Sequence, residues 1–340
     1  MPVSSEIPSR GLAVVLVAAL VASALLALNS GATPASLWGL YASPEQDARA
    51  LARDRAILLE LRLPRVVASL LVGAATAVSG AVLQGLFRNA LADPALLGIM
   101  SGAALGAGVV LLGAGQWGGL EVRLLGQIGA IAGAAAAFFL VWSLACRFAA
   151  DRTQGLLLAG IAVNAAASAG TGLLTFLYSD SQLRTFVFWT LGGMGGVERA
   201  ALPFLLAPTG IALWIALRQA RALDCLALGE QTAFHLGVDL ARTRRLLVGG
   251  SLLAVGASVA IVGPISFVGL VVPHVLRLTG AVRHARLLPL CALFGALAVL
   301  WADLLARILV RPQELPLGLV TAAFGAPTFA YLLWRRGKQA

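Results

Sequence analysis

The chain alternates between long apolar runs and short polar interruptions from end to end. A helix that crosses a bilayer needs roughly 20 apolar residues. Runs of this kind, some shorter, cover residues 11–28, 61–87, 95–112, 124–148, 155–177, 197–217, 246–262, 265–279, 287–309 and 315–334. None shows the strict alternation of a barrel strand, and in lipid the backbone must satisfy its own hydrogen bonds. The pattern therefore predicts an all-α fold, a polytopic membrane protein with ten transmembrane helices in a single transmembrane domain, 1–340. The first run exceeds the 7–15 residue apolar core typical of a signal peptide, so it reads as the first spanning helix.

The polar interruptions carry the organisation. Residues 29–60 read as an outer, periplasmic loop, with alternating Arg and Asp suggesting a short surface helix near Arg49–Arg55. Residues 88–94 make a tight inner turn. Residues 178–196 form a second periplasmic segment, closed by a glycine run from Gly192 to Gly196 that breaks any helix. The longest inner interruption is 223–245, between two apolar runs. Its Leu226, Leu228, Phe234 and Leu236 have loose helical spacing, and Gly229 and Gly237 punctuate it. This is a helix–turn–helix offered to a partner.

Composition agrees with a membrane chain: 59% of residues are hydrophobic and only 12% charged, against about 25% charged in soluble domains. The formal charge of +10 comes from 24 arginines and the single Lys338. Fifteen of these 25 cations lie on inner segments and ten on outer ones. With acids included, the inner side carries about +9 and the outer about +2, an asymmetry that places both termini in the cytoplasm. The arginines flank apolar runs, as interface anchors do, so nucleic acid is not the partner. Lys338 precedes Gln339, so the chain has no G-x-x-x-x-G-K-[ST] loop and does not hydrolyse ATP by that route. Cys146, Cys225 and Cys291 are too scattered for a disulfide framework or a metal site.

Several stretches together resemble a known family. They are Arg62-Leu-Pro-Arg65, Ser79-Gly80, Gln84, Arg88-Asn89 and Pro94; Leu226-Ala-Leu-Gly-Glu230 with Leu236-Gly237; Gly263-Pro-Ile-Ser-Phe with Pro273-His274; and Glu314-Leu-Pro-Leu-Gly318 with Gly325-Ala-Pro327. This pattern, from about residue 61 to 334, is similar to the permeases of type II ABC importers for haem, ferric siderophores and cobalamin, the FecCD family. The resemblance implies a homodimer in the bacterial inner membrane, two cytoplasmic ATPase subunits holding ATP and magnesium, and a periplasmic binding protein. No cofactor is expected on this chain itself.

Carried over residue by residue, the resemblance places ATPase coupling on Leu226, Leu228, Gly229, Glu230, Phe234, Leu236 and Gly237. It places binding-protein docking on Arg62, Arg65 and Arg307. Gates fall on Asn89 and Leu91, and on Thr153 and Gln154. Ala90 stands where the family usually has proline. Asn164, a polar group inside an apolar run, and Arg184 are candidates for the translocation path. Ser181-Gln-Leu-Arg184 with Phe188-Trp189 looks like haem permeases, and an aromatic and arginine pair suits a flat anionic macrocycle. The alternative is an ion-coupled secondary transporter built on Asp303, the one acid deep in an apolar run. Arg307, one turn on, points instead to an intrahelical ion pair.

Overall fold

The computed structural model describes residues 9–31, 48–113, 119–148, 152–310 and 313–337. Among the described residues every regular element is helical. In order they are α1 (Ser9–Asn29), α2 (Ala48–Ala56), α3 (Leu63–Leu86), α4 (Ile99–Gly113), α5 (Gly119–Phe148), α6 (Arg152–Leu177), α7 (Asp180–Thr190), α8 (Leu202–Arg218), α9 (Ala220–Ala227), α10 (Glu230–His235), α11 (Leu240–Val262), α12 (Val268–Leu278), α13 (His284–Ile308) and α14 (Leu317–Gly337). Among the described residues, seven helical segments are long and apolar enough to cross a membrane, and three shorter apolar helices accompany them.

The bundle is built around α3, which packs against α8, α11, α12 and α13. Small residues make this possible. A methyl group on Gly73 would sit 2.2 Å from the Gly295 carbonyl oxygen, and one on Gly80 would sit 1.9 Å from that of Gly269. These glycines thus form the seam where α13 and α12 meet α3. Helices α4 and α5 pair in the same way through Gly106 and Gly129. The outer faces are apolar: Phe139, Leu158, Phe176, Phe204, Trp214 and Phe324 are all more than half exposed. Water does not tolerate an apolar surface of that extent, whereas acyl chains do.

Three boundaries differ from the sequence pattern. The outer interruption at 29–60 is helical in its second half: α2 runs through a single π turn, Ile57–Arg62, straight into α3. That carries Arg62 into the helix and buries it at 5% exposure. The inner interruption ends earlier, because the Asp239 side chain accepts from the Arg242 N–H at 2.9 Å and starts α11 there. Between 178 and 196 lies the regular helix α7, opened by a capping box between Ser179 and Gln182. The glycine run does end it. Beyond it, the Gly193 N–H donates to the Val262 carbonyl at 2.8 Å, and the Leu317 N–H donates to the Gly192 carbonyl at 2.9 Å.

Candidate functional site

The inner helix–turn–helix folds as a braced knob. Leu223 and Leu226 are buried and fix α9 to the bundle, and Ala233 does the same for α10. Leu226, expected among the coupling residues, is buried at the root of the knob. Leu228, Phe234 and Leu236 are 69%, 67% and 56% exposed and form the knob's exposed apolar face. Gly229 and Gly237 take φ values of +112° and +82°, where a side chain would be strained, and these set the two turns. Glu230 pairs with Arg244 in the second turn of α11 and so ties the knob to that helix.

At the opposite end, Asp303 is fully buried and holds two arginines. Arg65 Nε donates to its two carboxylate oxygens at 2.9 and 3.1 Å, and Arg307 Nε lies 3.2 Å from Oδ2. Arg65 Nη1 also reaches Glu314 at 2.8 and 2.9 Å. Arg62 Nη1 donates to the Leu28 carbonyl at 2.7 Å. The expected docking arginines are thus not free surface cations. Arg62 and Arg307 are engaged inside the chain, and only the Arg65–Glu314 pair approaches solvent, through a half-exposed Glu314. The ion pair read between Asp303 and Arg307 is present, and Arg65 extends it to a network that the linear pattern does not show.

The inner turn after α3 is tightened by Asn89, whose Oδ1 accepts from the Leu91 N–H at 2.9 Å. Arg88 adopts φ +49°, uncommon for a residue with a side chain. Leu91 is exposed. Asp93 caps the following 3-10 turn, Pro94–Leu97, by accepting from the Ala95 N–H at 2.9 Å. Burial pushes the Asp93 carboxyl above its ordinary range, and that hydrogen bond opposes the shift. Thr153 and Gln154 fall in the first turn of α6 by backbone, but their side chains lie outside the described residues. Asn164 spends both ends of its amide inside the bundle: it accepts from Ser101 and donates to the Ala95 carbonyl at 3.1 Å. It ties α6 to the start of α4.

On α7, Arg184 and Phe188 are exposed, while Phe186 is buried and stacks on Trp189 at 6.4 Å. Behind them lies a cavity of about 460 Å³ lined by Gln127, Thr185, Phe186, Phe188, Trp189 and Val262, among others. Tyr178 hydrogen-bonds the Gly108 carbonyl at 2.7 Å, and burial pushes its hydroxyl up to about 12.

A helical bundle with apolar outer surfaces and seven long apolar segments among the described residues defines a multi-pass membrane protein. The model of the FecCD transport family matches residues 15–335, and the chain belongs to that family. It is 42% identical over 323 residues to a hemin transport system permease protein of Yersinia pestis, covering 94% of both chains. It is 45% identical over 289 residues to a vitamin B12 import system permease protein of Shigella sonnei, covering 84% of this chain and 86% of the other. A solved metal-chelate type ABC transporter in an inward-facing conformation superposes with a TM-score of 0.84 at 30% identity, covering 96% of this chain and 99% of that one.

Proposed function

We propose that this chain is the homodimeric permease of an ATP-driven importer in a bacterial inner membrane, carrying haem from a periplasmic binding protein to the cytoplasm by alternating access. The observation that carries the reading is the knob. It presents Leu228, Phe234 and Leu236 to solvent on a rigid, ion-paired support, in a chain without a P-loop. An exposed apolar cluster of this kind fits a partner groove. Here the partner is a pair of ATPase subunits that hold ATP and magnesium. A reading of ten crossings with both termini inside is supported by the seven long apolar segments, the three shorter apolar helices and the arginine asymmetry.

Haem is the cargo favoured by α7, where Arg184 and Phe188 stand exposed beside the Phe186–Trp189 stack. Rings and a guanidinium together suit a flat macrocycle with carboxylates. Docking of the binding protein is assigned to the outer arginine end. Arg65 is best placed there, because its half-exposed partner Glu314 can be exchanged for a carboxylate of the binding protein.

The test is uptake into proteoliposomes holding this chain, its ATPase and the binding protein. Haem accumulation that requires ATP is the expected result. Preferential uptake of cobalamin or a ferric siderophore would overturn the cargo. Uptake by the chain alone under an ion gradient would overturn the importer reading.

A further inference from the structure

The cytoplasmic end of α3 runs directly into the inner turn that holds Asn89 and Leu91. What touches that end is informative. His284, the first residue of α13, places Nε2 within 2.6 Å of where a methyl group on Gly85 would stand, and Leu223 of α9 closes on the same spot at 3.2 Å. Only glycine at 85 leaves room for the ring. Nε2 is buried without a hydrogen-bond partner among the described residues, so none of them sets the ring's position from that side.

It is set from the other side. Asp224, on α9, accepts from the His284 backbone N–H at 2.9 Å and lies 2.6 Å from Nδ1. The helix α13 makes no side-chain cap of its own at Arg283. Its first N–H is satisfied by a carboxylate borrowed from α9, where the helix dipole also favours a negative charge. Asp224 stands four residues before Leu228, at the root of the exposed knob. The knob, Asp224, His284 and Gly85 therefore form one continuous series of contacts ending at the inner turn.

We propose that Asp224 and His284 are positioning residues of the transport cycle: they form a strut that passes displacement of the knob to the end of α3 and so to the Asn89–Leu91 turn. Two arrangements of a packed bundle are switched by such rigid links, because close packing does not deform continuously. Asp224 is about one-third exposed and His284 is buried, so the link is accessible to substitution at one end without opening the core. The proposal rests on the importer reading above, since it needs an ATPase to drive the knob.

The experiment uses the full complex of chain, ATPase and binding protein in lipid nanodiscs, in a Leu91→Cys background. Two quantities are read: the stimulation of ATP hydrolysis by the binding protein, and the rate at which a maleimide modifies residue 91 with and without ATP and vanadate, scored by peptide mass spectrometry. In the background complex ATP changes the modification rate. With Asp224→Ala, that change is lost and stimulation falls by at least about tenfold, since alanine removes both hydrogen bonds to His284 and a single one to a charged group is already worth that much. Asp224→Asn keeps the accepting oxygen and keeps both responses. If Asp224→Ala responds like the background, the strut is wrong. It is equally wrong if Asp224→Ala fails to retain the ATPase, because Asp224 is then a docking residue, or if Asp224→Asn loses the responses as fully as alanine does. A background complex that itself shows no ATP response overturns the importer reading instead, so the two failures are distinguishable.

Discussion

Replacing Asp303 by alanine removes the centre of the outer charge network, and the structure says which group then suffers. Arg65 would keep Glu314 at 2.8 and 2.9 Å and remain paired. Arg307 would not. It is 6% exposed, and among the described residues it would, without Asp303, retain only long hydrogen bonds from Nη1 to the Ala27 and Ser30 carbonyls, at 3.4 and 3.3 Å. Stranding a buried charge in this way costs about 3–5 kcal/mol. Removing both partners should recover most of the loss, because an apolar replacement of a buried pair is often neutral. The double variant Asp303→Ala with Arg307→Met should therefore melt close to the wild type, and both well above Asp303→Ala alone. The assay is thermal unfolding in detergent micelles followed by tryptophan emission. Trp301 is a local reporter, since its indole N–H donates to Ser23 on α1 at 3.0 Å, two residues from the site. A single variant that melts with the wild type, or a double variant no better than the single, would refute the reasoning. Asp303→Asn separates the same account from a proton carrier: loss of transport with an unchanged melt would restore the carrier.

Two further outcomes rest on packing and exposure. Gly80→Ala should destabilise by at least about 1–3 kcal/mol, because its methyl group meets the backbone of Gly269 at 1.9–2.5 Å, while Gly249→Ala on α11, where nothing lies within 4 Å, should be neutral or stabilising through helix propensity; equal melting temperatures for the two would contradict the seam. Phe234→Asp on the knob should leave the melting temperature of the isolated chain unchanged, since the ring is 67% exposed, yet abolish co-purification of the ATPase by affinity capture; retained capture would remove the knob from the interface.

Features that depend on near neighbours are legible in the chain itself. Apolar runs and the glycine turns at Gly229 and Gly237 are local patterns, and each reappears in the structure. The polar partnerships are another matter. Arg65 meets Glu314 across 249 positions, Arg277 meets Gln84 across 193, and His284 meets Asp224 across 60. Nothing in the spacing of single residues encodes which distant helices pack together. Arg62 illustrates the physical reason. A charge at the end of an apolar run reads as an interface anchor, but the π turn before α3 inserts a residue into the helical register and swings the side chain inward onto the Leu28 carbonyl. An added residue rotates the remainder of a helix by about 100°, enough to turn an outward arginine into a buried one. The same logic explains why the knob was legible and its transmission was not. Exposed apolar residues on a polar stretch announce a partner. The strut behind them consists of one carboxylate, one imidazole and the absence of a side chain at Gly85, which acquire meaning only once three helices are brought together.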